Sequence, residues 1–175
     1  MSNSLGYSVA VVVDKPLAEA WALLADYSLP HNYVPGLTRT EIVSAASSGP
    51  GAHRRVYTGD RYLEETIIDW REGQGFTLRL HRKGKPMAPF KNAEFDYQLQ
   101  PEDAQRTRVT LALRFVLPLG RLGGFLGRNL VLPEMKKQLV AVAAGMKHFY
   151  ETGTAAADED RQRLAGSVET HPASG

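Results

Sequence analysis

Residues 9–37 read VAVVVDKPLAEAWALLADYSLPHNYVPGL, and the architecture turns on this stretch. Leu5, Tyr7, Val9, Val11 and Val13 alternate with smaller residues, the period-two pattern of a strand. Asp14-Lys15-Pro16 then reads as a helix start, Asp14 capping and Pro16 in the first turn. The helix runs through Ala18, Trp21, Leu24 and Ala25, with Leu17, Trp21 and Leu24 on one stripe. In Ser28 to Gly36 two prolines leave room only for a short helical turn.

Outward from there the pattern is β as far as Leu117. Candidate strands are Thr38 to Ala45, Ala52 to Thr58, Tyr62 to Trp70, Phe76 to Lys83, Phe90 to Gln100 and Arg108 to Leu117. Turn chemistry separates them at Ser47 to Gly51, Gly59-Asp60, Glu72 to Gly75, Gly84 to Pro86 and Pro101 to Asp103. No useful helix fits between these strands, so the sheet reads as an antiparallel meander. The last element begins near Pro133, where Met135, Leu139, Val142, Met146 and Phe149 form one apolar stripe, and Gly153 stops it.

Three strands carry one clean apolar face: Phe76, Leu78 and Leu80; Ala93, Phe95, Tyr97 and Leu99; Val109, Leu111, Leu113 and Phe115. Such a face must be covered, and only the first helix and the long last one can do so. The fold class is therefore α+β: a curved seven-stranded antiparallel sheet wrapped around a long C-terminal helix, with two short helices after the first strand. A twisted sheet gripping one helix leaves a gap between them, the natural place for a small molecule.

Composition narrows the function classes. The chain of 175 residues suits one domain with a tail, here 1–151 and 152–175. The tail has almost no large apolar residues and carries Asp158, Glu159, Asp160 and Glu169 against Arg161 and Arg163, so it reads as polar and flexible. With no cysteine there is no disulfide framework and no thiol catalysis. A net charge of +2 argues against nucleic acid as a partner. No signal-peptide pattern opens the chain, and no apolar run reaches the ~18 residues of a membrane span. A cytoplasmic protein without stable membrane insertion is the expectation, as monomer or homodimer.

The opening resembles the START-like superfamily, also called Bet v 1-like or SRPBCC, and most closely its polyketide cyclase/dehydrase-like proteins. The residues that carry the resemblance are Pro16, Trp21, Asp26, Tyr33 and Pro35-Gly36, and it extends over roughly residues 5 to 151. It implies a helix-grip fold whose cavity takes a lipid, quinone, polyketide or other aromatic molecule. Members include carriers, sensors, cyclases and co-chaperone-like domains, and fold alone does not choose among them.

The expected ligand-lining residues are Tyr33, Tyr57, Tyr62, Trp70, Phe76, Leu78, Phe95, Tyr97, Leu111, Leu113, Phe115, Met135, Leu139, Val142 and Met146. An interior tyrosine offers an apolar ring and a hydroxyl that needs a partner. The inward face of Tyr62 to Trp70 is open at this level, because either face presents a carboxylate, Glu64 or Glu65. These two and His31, with Tyr97, are the candidate acid–base groups. The five histidines show no metal-site spacing, and no metal or cofactor is expected. His81 falls on the polar face, and Arg54-Arg55, like His81 to Lys85, reads as a solvated basic turn. Gly120 to Gly127 lacks the ending of a phosphate loop; with Leu117, Leu119, Leu122, Phe125, Leu126, Leu130 and Leu132 the segment reads as a flap or a short packed helix. Transient membrane contact through Phe125 with Arg121 and Arg128 is a further reading.

Binding of a hydrophobic small molecule is the leading function. A cyclase, dehydratase or isomerase, and a protein- or membrane-facing module, are the alternatives.

Overall fold

The computed structural model describes residues 4–118 and 120–172. Strand β1 (Ser4–Val13) leads into α1 (Leu17–Ala25) and a single 3-10 turn (Pro30–Asn32). Strands β2 (Arg39–Ile42), β3 (His53–Thr58), β4 (Arg61–Arg71) and β5 (Gly75–Arg82) follow. The two-residue β6 (Lys85–Pro86), β7 (Asn92–Pro101) and β8 (Thr107–Val116) complete the meander. All neighbours are antiparallel in the order β2-β3-β4-β5-β7-β8-β1-β9, with β6 beside β5. β9 is Glu169–Pro172, so the described sheet has nine strands where seven were expected, β6 and β9 being the additions.

The helix of the grip is longer than the apolar stripe implied. α2 (Gly120–Leu126) passes through one π turn (Gly127–Val131) directly into α3 (Leu132–Thr152). Gly153 ends α3 in the left-handed region, its N–H donating to the Phe149 carbonyl at 2.8 Å, as the sequence led one to expect. Leu119, counted in the flap reading, lies outside the described residues. The glycines there are not free hinges: a Cβ on Gly123 would lie 1.9 Å from the Pro118 carbonyl oxygen, and one on Gly127 2.4 Å from Leu5.

Two local expectations need correction. Asp14 does not cap α1; its N–H donates to Glu151, and the helix starts at Pro16, whose carbonyl accepts from Glu19 and Ala20. The polar segment read as a tail forms α4 (Asp158–Leu164) against α3, and then β9, which pairs with β1 from Tyr7 to Ala10. Few apolar residues were needed, because backbone ladder bonds and the Arg108–Glu169 ion pair (2.8 Å) hold the strand.

Register fixes which face is which. Ile67 opposes Leu78, Leu78 opposes Phe95, Phe95 opposes Leu113, and Leu113 opposes Tyr7, one apolar row facing α3. The row beside it is Phe76, Tyr97, Leu111 and Val9. Against these rows α3 buries Leu139, Val142, Ala143, Met146, Phe149 and Tyr150.

Candidate functional site

The parity left open in β4 is settled by cross-strand pairing and by a bulge. Glu65 opposes Arg54 and Leu80, so Leu63, Glu65 and Ile67 face inward, while Tyr62, Glu64 and Thr66 face outward. The register then slips between Ile67 and Asp69, which turns Ile68 out to solvent and returns Trp70 to the inner face opposite Phe76.

Arg54 is the centre of the inner site. Only 2% of it is exposed, although a surface turn was expected. Its Nε and Nη2 donate to Glu65 Oε2 at 2.6 and 2.5 Å, and its Nη1 donates to the Tyr27 carbonyl at 2.9 Å. The guanidinium lies 3.8 Å from the Tyr27 ring centroid, and the Tyr27 hydroxyl donates to the Glu65 carbonyl at 3.0 Å. Burial alone would lower the Arg54 pKa, but Glu65 and the surrounding tyrosines more than offset it, so the guanidinium keeps its charge. The missed signal is alternation within β3: Arg54 and Val56 share a face, and Arg55 and Tyr57 share the other.

Three tyrosines complete this interior. Tyr33 packs against Tyr150 edge to face at 6.2 Å between centroids and against Phe149 at 6.2 Å. The close approach of α3 to the Tyr33 loop depends on Gly145, where a Cβ would lie 2.2 Å from the Tyr33 carbonyl oxygen. Burial pushes the Tyr33 hydroxyl up to about 12, with the Arg54 charge opposing. Burial likewise raises Tyr97 and Tyr150 well above the ordinary phenol value. All three are therefore neutral donors at physiological pH. The Tyr150 hydroxyl is buried and has no hydrogen-bond partner among the described residues.

Around this polar centre the inner face is apolar but incompletely covered. Phe76, Leu78, Leu111 and Phe115 are fully buried, as are Leu139 and Met146; Leu113 and Val142 are nearly so. Tyr7, Leu63, Leu80, Phe95 and Met135 face the same interior yet stay half-buried. Trp70 is placed differently from expectation: it packs between Trp21 (5.0 Å) and Phe76 (5.6 Å), and both indole N–H groups donate to Glu72. Trp21 belongs to α1, so this cluster lies where α1 meets the sheet.

Tyr57 and Tyr62 do not join this group, because they oppose each other on the outer face. The Tyr57 hydroxyl donates to Glu41 at 2.6 Å, and its ring stacks under Arg39. Glu64 is also outward, buried among His53 (3.4 Å), His81 (3.8 Å) and Arg55 (3.5 Å), and it accepts from the Lys83 N–H. Burial pushes the Glu64 carboxyl up, but these donors and imidazoles outweigh it and leave the pKa below the usual value. His81 occupies the polar face as read but is not solvated; its Nε2 lies 2.7 Å from the Thr66 hydroxyl. His31 pairs through Nδ1 with Thr40 at 3.1 Å, and Thr40 opposes Val56, so the contact lies toward the inner face at the edge strand β2. Of the candidate acid–base groups, Glu65 and Tyr97 share the interior, His31 borders it through Thr40, and Glu64 lies on the outer face.

The comparisons with known proteins agree with this geometry. The aromatase/cyclase Zhui of Streptomyces sp. R1128 has a TM-score of 0.62 at 17% identity, over 88% of this chain and 100% of its own. The protein Ara h 8.0201 gives 0.62 at 15%, over 85% and 98%. Norcoclaurine synthase of Thalictrum flavum gives 0.61 at 11%, over 86% and 96%. At these identities the likeness establishes the fold. No curated protein matches the chain. The profile of one family, described as polyketide cyclase / dehydrase and lipid transport, matches residues 5–147. A sheet of this topology closed on a long C-terminal helix, with that match over most of the chain, makes this protein a member of the polyketide cyclase/dehydrase and lipid-transport family, within the Bet v 1-like superfamily.

Proposed function

We propose that the protein binds a hydrophobic or amphipathic small molecule that carries oxygen (a lipid, quinone, polyketide or related aromatic) between the sheet and α3. The observation that carries this reading is the Tyr150 hydroxyl, buried without a partner beside Tyr33 and within the field of Arg54. A buried hydroxyl left unpaired destabilises the fold by about 1–3 kcal/mol, and a ligand carbonyl or hydroxyl would satisfy it. The half-buried row of Tyr7, Leu63, Leu80, Phe95 and Met135 suits the apolar body of such a ligand.

A catalytic reading has one observation in its favour. Tyr33, Tyr97 and Tyr150 hold their protons firmly, and neutral phenols in a dry interior stabilise a developing enolate or oxyanion. Glu65 is a poor general base here, because its Oε2 is already committed to Arg54. Cyclisation would therefore rest on positioning and tyrosine donors.

Native mass spectrometry of the purified protein, followed by denaturation and organic extraction, tests the proposal. A stoichiometric apolar molecule that is lost on denaturation is the expected result. A bare mass that persists after incubation with lipids, quinones and aromatic polyketides overturns it.

A further inference from the structure

α2 and the π turn are amphipathic in the reverse sense. Their small residues Gly123, Gly124 and Gly127 are buried against the protein, whereas their large apolar residues point away from it. Leu122 is 58% exposed, Phe125 64% and Leu130 68%. A helix that docks only to cover a core would do the opposite. The glycine contacts also set this orientation rigidly, since a side chain at Gly123 or Gly127 would collide with Pro118 or Leu5.

A second segment shares the same end of the molecule. The end of β5 at Arg82 and residues 83–91 lead into β7, and Lys91 donates its N–H to the Val116 carbonyl at 2.7 Å while Phe90 packs on Phe115 at 5.1 Å. That connection exposes Arg82, Lys83, Lys85 and Lys91, and α2 with its π turn adds Arg121 and Arg128. No Asp or Glu occurs between residues 82 and 93 or between 104 and 133. The end therefore presents exposed Leu and Phe side chains together with six exposed cations, although the whole chain carries only +2.

We propose that this end docks on an anionic lipid bilayer, with Leu122, Phe125 and Leu130 entering the headgroup–acyl boundary and the six cations facing lipid phosphates. Charge selects the occupant. A symmetric pairing of two copies would set this cationic end against its own image, whereas an anionic surface complements it. The inference is independent of what the interior binds.

The test is flotation of the full chain with vesicles of phosphatidylcholine alone and of phosphatidylcholine containing about one-third phosphatidylglycerol, alongside light scattering for oligomeric state. Binding to the anionic vesicles only, weakened by salt, is expected. Replacing both Arg121 and Arg128 by Gln lowers the partition coefficient roughly thirtyfold, at about 1 kcal/mol per residue. The pair Phe125→Ser and Leu130→Ser lowers it at least tenfold or so, with unchanged circular dichroism because both residues are exposed. Equal binding to both vesicle types, no binding to either, or binding indifferent to the serine pair overturns the proposal. A dimer abolished by the serine pair, with no vesicle binding, reassigns the surface to self-association and overturns it as well.

Discussion

Replacing Glu65 by Leu tests whether the Arg54 centre is the desolvated ion pair described above. Arg54 is 2% exposed, and two of its three nitrogens donate to a single carboxylate oxygen. After the substitution, the Tyr27 carbonyl and ring remain as its partners, neither of which carries a compensating charge. Breaking a buried pair by removing one side costs about 3–5 kcal/mol, because the other charge is left uncompensated. For a chain of this size each kcal/mol shifts the melting temperature by about 2–4 °C, so a drop on the order of 10 °C is expected. Urea and thermal unfolding followed by circular dichroism measure it. The double variant Arg54→Met with Glu65→Leu removes both charges and should recover most of the loss, to within about 1 kcal/mol of the parent. A single variant that loses less than about 1 kcal/mol, or a double variant as unstable as the single, refutes the reasoning.

Three further perturbations follow from the same geometry. Tyr150→Phe deletes a buried hydroxyl without a partner, so the fold should gain about 1–3 kcal/mol while affinity for an oxygen-bearing ligand falls; equal losses of stability and binding would contradict the assignment. Gly145→Ala places a methyl 2.2 Å from the Tyr33 carbonyl oxygen, and a loss of at least 2 kcal/mol or so is expected, with altered tyrosine fluorescence. Stability should also fall with pH in two steps. Burial, then the neighbouring His53, holds His81 below its usual 6.5, and Glu64 lies below its usual 4.5. In both cases the unfolded chain binds the proton more readily, so stability present above pH 6.5 declines as unfolded His81 charges, and declines again below 4.5 as unfolded Glu64 protonates. His81→Gln should flatten the upper step, and an unaltered profile of melting temperature against pH would count against the burial of that imidazole.

The fold was readable because its signals are local. Alternation in β5, β7 and β8, the turn residues between them and the four-three spacing on α3 each specify an element without reference to distant partners. The apolar face then required a covering helix, and the chain offers only one long enough. The interior list was partly readable for the same reason: Phe76, Leu78, Phe95, Tyr97, Leu111, Leu113 and Phe115 follow from parity within strands that carry no bulge.

The polar centre was not readable, because it depends on register between strands. Arg54 and Arg55 are adjacent and chemically alike, yet one is desolvated against Glu65 and the other reaches the outer Glu64. The bulge between Ile67 and Asp69 has no signature in composition, and it alone brings Trp70 inward and turns Ile68 out. Glycine packing was equally hidden: Gly123 and Gly127 suited a flap as well as a packed helix in sequence, and they are points of close backbone and side-chain contact. Amino-acid order by itself determined the α+β class, the antiparallel meander and the gripping helix, since period and turn chemistry act over a few residues. Only the tertiary structure decided which charges are buried, which tyrosines meet over the Arg54–Glu65 pair and which face of α2 meets solvent, because those outcomes depend on residues far apart in the chain being brought into one register.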